Sequence, residues 1–149
     1  MRFLTALVFL CAAAQAETSA FRWTVGFAQG TIEAIIRNEF DSSVNLYCPS
    51  GQLDPTPGMF IDVDKIRPRP GERIAVQIIV DGENHAFYLE ENQFKAGGRA
   101  NLQSFHRLVD ALAASKGKTF AVEFPKFGMS ERFSLFGAPK AVKAARCDD

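Results

Sequence analysis

Two cysteines, Cys48 and Cys147, lie about 100 residues apart in a chain whose N-terminus reads as an export signal. That combination constrains the fold more than any other feature. Arg2 supplies one positive charge, residues 3–14 form an apolar run, and Ala14-Gln15-Ala16 is a small-x-small triplet ahead of Glu17. This is the pattern of a secretory signal peptide cleaved after Ala16, and the run falls short of the roughly 20 apolar residues a membrane-spanning helix needs. Cys11 lies inside the leader behind Leu10, where a lipidation site takes a small side chain, so it is assigned to the leader. Export to an oxidising compartment, the periplasm or the medium, favours a bridge between the two cysteines that remain. Closing such a loop stabilises a fold by about 4.7 kcal/mol in the chain-entropy model.

The remainder, residues 17–149, has the size of a single domain able to bury one core. Without Arg2 it carries 16 basic and 17 acidic residues. That balance gives no bulk electrostatic footprint for nucleic acid or an anionic membrane. No membrane span is expected once the leader is removed.

Hydrophobic alternation dominates residues 21–89. Phe21, Trp23, Val25 and Phe27 alternate with polar or small residues, predicting a first strand with one large apolar face. Ile32, Ala34 and Ile36 predict a second strand and Val44, Leu46 and Cys48 a third, with Cys48 on the core side. Three prolines in residues 49–58 make a loop, and residues 59–63 are a short candidate strand. The basic connector Arg67-Pro68-Arg69-Pro70-Gly71 cannot be helical. Ile74, Val76, Ile78 and Val80 mark the clearest strand, and the turn at Asp81-Gly82 leads into residues 85–89, with Phe87 and Leu89 inward and Tyr88 outward. Residues 90–99 read as loop.

Leu102, Phe105, Leu108, Val109 and Leu112 recur at helical spacing, with Asn101 as the expected N-cap and Gly117 as the expected stop. A hairpin comes next, with Phe120, Val122 and Phe124 in its first strand and Phe133 and Leu135 in its second. Gly137 then ends the strand, Pro139 opens a short helix with Ala141, Val142 and Ala145 as its stripe, and Cys147 closes the chain. The expected fold is α+β: an antiparallel sheet of about six to eight strands, one main helix on it, and a short C-terminal helix held by Cys48 and Cys147.

Chemistry-bearing constellations are few. His106 and Asp110 share a helix face and suit a base with its orienting carboxylate, but no serine or cysteine nucleophile is flagged beside them. His85 reads as a solvent-facing turn residue. Asp54, Asp62 and Asp64 lack the glycine and closing glutamate of a calcium loop, and two distant histidines without Cys-x-x-Cys make no zinc set. Gly128-Met129-Ser130 is not a nucleophile elbow, since the second glycine is absent. No catalytic residue, metal or cofactor is therefore assigned. The last third is basic, and Lys126, Arg132 and Lys140, with Tyr47 as an exposed aromatic anchor, are the expected partner-binding residues.

Leu46-Tyr47-Cys48, Val80-Asp81-Gly82, the apolar helix over residues 105–112, Val122, Phe133-Ser134-Leu135-Phe136-Gly137 and Cys147 carry a resemblance over residues 43–147. The pattern resembles small exported proteobacterial domains, namely the invasion-associated locus B family and periplasmic accessory proteins encoded beside type VI secretion systems. The extra Trp and Cys positions of the first family are missing. The resemblance implies a non-enzymatic binding or masking module for another envelope or secreted protein. Two alternatives stand beside it: a small-ligand or glycan carrier with an apolar helix-sheet pocket lined by Phe87, Phe105 and Phe124, and a hydrolase centred on His106. The intact mass of the protein from a periplasmic fraction is expected to begin at Glu17, and a full-length cytosolic product would remove the export premise.

Overall fold

A computed structural model describes residues 21–51, 53 and 55–147. The leader, its cleavage site, Cys11 and Asp54 lie outside these residues. The strands are β1 (Thr24–Ala28), β2 (Thr31–Arg37), β3 (Ser43–Pro49), β4 (Gly58–Asp62), β5 (Arg73–Val80), β6 (Glu83–Glu90), β7 (Gln93–Lys95), β8 (Thr119–Phe124) and β9 (Met129–Ser134). The helices are α1 (Arg99–Ala114) and α2 (Ala138–Ala144). The strands form one antiparallel sheet in the order β1-β2-β3-β4-β7-β6-β5-β8-β9.

The sheet has nine strands rather than six to eight. The unexpected one is β7, three residues with a single buried side chain, Phe94, too short for alternation to register. It is placed by a two-residue turn in which Glu91 and Asn92 both take positive φ. α1 starts two residues before the expected cap: Gly98 is the N-cap, and Asn101 Nδ2 instead donates to the Gly97 carbonyl at 3.0 Å. Its C-cap is Ser115, not Gly117, which sits beside Asp81.

Most strands bury one face only. Ala34 and Ile36, Val44 and Leu46, Ile74 to Val80 in alternation, Phe120 to Phe124 and Phe133 turn inward. Phe105, Leu108, Val109 and Leu112 of α1 and Ala138, Ala141 and Val142 of α2 join the same hydrophobic cluster. α1 packs on α2 and β5, while α2 lies against β1 and β2. The sheet curls until β9 meets the far side: Asn38, just past β2, donates from Nδ2 to Glu131 Oε2 at 2.7 Å and to the Arg132 carbonyl at 3.3 Å. Trp23 Nε1 donates to Ser134 O and its backbone N–H to Phe136 O, both at 3.0 Å.

The expected bridge is present: Cys48 and Cys147 form a disulfide with Cα atoms 5.4 Å apart. Cys48 pairs with Ile32 across the β2–β3 ladder, so the bond ties the chain end to the sheet on the side α2 covers. Its loop of 99 residues implies a stabilisation near the upper end of the usual range. Non-reducing peptide mapping is expected to link Cys48 to Cys147, and replacing both by Ser is expected to lower stability by about 2–5 kcal/mol in denaturant unfolding. An unchanged midpoint would show that the packing of α2 alone holds the end.

Candidate functional site

The regular ladder breaks inside the sheet beside β6. β6 pairs with β5 along all of Glu83–Glu90 but with β7 only at Glu90↔Gln93, after which β7 departs to pair with β4. The β5–β6 hairpin has a two-residue turn with Asp81 and Gly82 at positive φ, which makes Val80 and Glu83 a hydrogen-bonded pair. Bonding alternates along an antiparallel ladder, so Glu83, His85, Phe87 and Leu89 direct their backbone groups to β5, and Asn84, Ala86 and Tyr88 direct theirs away from it. Among the described residues no backbone partner meets those three on the far side.

α1 borders this unpaired edge. Asn101, Ser104 and Arg107, three residues apart on one side of the helix, line the space together with β6 while Phe105 and Leu108 turn into the core. The result is a groove of about 520 Å³ bounded also by Gly71, Arg73, Gln93 and Lys95. A smaller recess of about 220 Å³ next to Glu83, His85 and Arg107 shares Ala86, Phe87 and Ser104 with it. Arg73 pairs with Glu90 at 3.5 Å and lies over the Tyr88 ring, 4.8 Å from its centre. Phe105 and Phe124 are sealed in the core, so of the three phenylalanines proposed for an apolar pocket only Phe87 reaches the groove.

The two ends of the sheet are unlike. The outer edge of β9 is occupied by Asn38 and Trp23, which take the carbonyls of Arg132, Ser134 and Phe136. β1 leaves this seam after Trp23, and all five of its residues are exposed. The expected inward face of β1 is not buried: Val25 is 51% and Phe27 70% exposed, and only Trp23, before the strand, enters the core.

A family model described as YfjT matches residues 21–142, while no curated protein and no solved structure matches. The chain belongs to the YfjT family. The match runs from ahead of β1 into α2, so both bare edges lie within the YfjT unit.

In this YfjT chain the residues singled out from sequence do not converge. Lys126, in the 3₁₀ turn Pro125–Phe127, is ion-paired with Glu72; Arg132 lies on the outer face of β9 and Lys140 on α2, both exposed. The Glu72 carboxyl is held below its usual value by the Arg69 backbone N–H first and by Lys126 second. Tyr47 is not a surface anchor. It is 7% exposed, its hydroxyl accepts from Gln93 Nε2 at 2.7 Å, and burial pushes its pKa up. Its ring lies across Gly58, where any side chain would strike it.

His106 and Asp110 both serve the chain end. His106 Nε2 donates to the Arg146 carbonyl at 3.1 Å, and Arg146 Nη1 donates to Asp110 Oδ1 at 2.6 Å. The pair proposed for a hydrolase is thus occupied next to Cys147. Asp62 and Asp64 are both engaged by Arg67.

His85 is the residue the sequence pattern misplaced. Expected in solvent, it is 7% exposed, on the same β6 face as Phe87 and Leu89. Alternation carried back two positions from Phe87 would have found it. Its Nε2 has no hydrogen-bond partner among the described residues and lies 3.9 Å from Glu83 Oε1. Burial lowers its pKa, the Glu83 carboxylate opposes this, and the Arg107 guanidinium adds to the lowering. The unfolded chain therefore binds the His85 proton more readily than the native one. Stability is then full above the unfolded pKa of about 6.5 and falls as pH drops from there toward the depressed folded value. Thermal melts from about pH 7.5 to about pH 5 are expected to show this loss, and His85→Leu to flatten it. An equal slope in the variant would assign the pH dependence elsewhere.

Proposed function

We propose that this YfjT chain is a non-enzymatic binding module that acts in the periplasm or outside the cell and engages another envelope or secreted protein through the edge of β1. The observation that carries this is the contrast between the two ends of one sheet. β9 is closed by hydrogen bonds from Asn38 and Trp23, whereas β1 offers Val25 and Phe27 to solvent without a charged residue, a proline or, among the described residues, a covering element along its edge. Sheet edges are normally blunted by such devices, and an open apolar edge is the surface on which strand addition occurs. The β1–β2 turn, with Gln29 and Gly30 at positive φ, sets Ala28↔Thr31 as a bonded pair. The backbone groups of Val25 and Phe27 therefore point outward.

The accessory or masking role implied by the exported-domain resemblance fits such an edge, since an added strand covers a segment of its partner. Lys140, on the helix that lies against β1, and Arg132, across the seam on β9, would steer an acidic partner; Lys126 has its charge offset by Glu72. The two surfaces are separated by two variants used as bait with proteins released from the periplasm. Val25→Lys with Phe27→Lys is expected to abolish capture and leave the melting temperature nearly unchanged, since both side chains are exposed. Lys126→Glu, Arg132→Glu and Lys140→Glu together are expected to slow association and reduce its salt dependence without abolishing capture. Identical capture by wild type and the β1 variant would refute the edge as the binding surface.

A further inference from the structure

We infer that the groove between β6 and α1 is a second binding site, independent of β1, which accepts an extended peptide segment as an added strand. Three observations meet there. The first is the row of unpaired backbone groups at Asn84, Ala86 and Tyr88, spaced two residues apart, so that they repeat about every 6.8 Å. A ligand that replaces water on all of them needs alternating donors and acceptors at that repeat, and a polypeptide in extended conformation has it. The second is the wall: Asn101 and Ser104 of α1 stand beside that edge, with Arg107 one turn on in the adjoining recess, making a helix-and-strand cleft whose volume of about 520 Å³ lies in the range of ligand sites.

The third is charge. Arg73 and Lys95 line the cleft with Glu90 and Glu91, and Arg107 and Glu83 line the adjoining recess, so both signs are present in each. That pattern is a poor match for a phosphate, a nucleic acid or a lipid headgroup, each of which calls for one sign. It suits a peptide with side chains of mixed polarity. Phe87 gives an apolar contact, and Ser104 and Ala86, both small, line the cleft, which a larger side chain at Ser104 would narrow.

The site is tested first without a ligand. In amide exchange monitored by NMR, the N–H groups of Asn84, Ala86 and Tyr88 are expected to exchange at least about tenfold faster than those of Phe87 and Leu89, which are bonded to β5. Equal protection of both sets would show the edge to be covered and would overturn the proposal. Peptides selected from a random library displayed on phage are then added to the labelled protein. They are expected to slow exchange at Ala86 and Tyr88 and to lose at least about tenfold in affinity to Ser104→Trp, which fills the cleft, and to Ala86→Pro, which removes one outward N–H and no ladder bond. Recovery of no binder, or binders that protect Val25 and Phe27 or bind Ser104→Trp as well as wild type, would overturn it. A β1 variant that fails to capture a partner leaves these outcomes unchanged, so the two sites stand or fall separately.

Discussion

A curled sheet must satisfy the backbone groups of its last strand, and in this chain two side chains near its beginning do so. Trp23 donates from both its indole and its backbone to the carbonyls of Ser134 and Phe136, and Asn38 donates to Arg132 and to the buried Glu131. Asn38 is itself fixed, since its Oδ1 accepts the N–H groups of Phe40 and Ser42 at 3.0 Å. Beneath this seam Trp23 stacks on Phe120 and Phe120 on Phe133, with ring centres 6.0 and 5.4 Å apart. Polar closure and aromatic packing thus coincide, and breaking either would expose β9 along with the core behind it. A Trp–aromatic contact of this kind adds about 0.5–1.5 kcal/mol beyond burial.

The chain end depends on that curl. α2 lies over β1 and β2 only because β9 delivers Gly137 beside Arg22 and Trp23. From there Cys147 reaches Cys48 on β3, and α1 contributes His106 and Asp110 to hold Arg146, one residue before the bridge. A helix as short as α2 has little stability of its own. It is kept in place by a covalent bond, two polar contacts and three buried side chains. The residues with the chemistry of a catalytic pair are engaged in an architectural contact.

Much of this was legible because alternation and cysteine count act locally or through simple topology. Cys48 falls inward by its register in β3, and Ile74 to Val80 fixes β5 without help. What was missed depends on where the sheet ends or splits. Val25 and Phe27 alternate like core residues, but their strand lies past the seam, and periodicity cannot report that their side chains stay exposed. Tyr47 alternates outward, yet Gly58 makes room for its ring and Gln93 binds its hydroxyl, contacts that require β4 and β7 to be in place. β7 was hidden by its length, and with it the point at which β6 loses its neighbour.

The departure of β7 also explains why the two bare edges differ in kind. Among the described residues no strand pairs with the outer edge of β1, and its exposed apolar side chains reward contact with an extended chain that is itself apolar. The edge of β6 lies beside α1, whose Asn101, Ser104 and Arg107 line the groove and recess along it. A helix along the edge leaves room for one added strand more readily than for a whole sheet. Confinement therefore does for β6 what side-chain hydrogen bonds do for β9: it prevents indiscriminate sheet extension while leaving Asn84, Ala86 and Tyr88 available to one chain. Among the described residues β1 has neither form of protection, and the physical cost of leaving it so is offset if its edge is covered by a partner whenever the protein is at work.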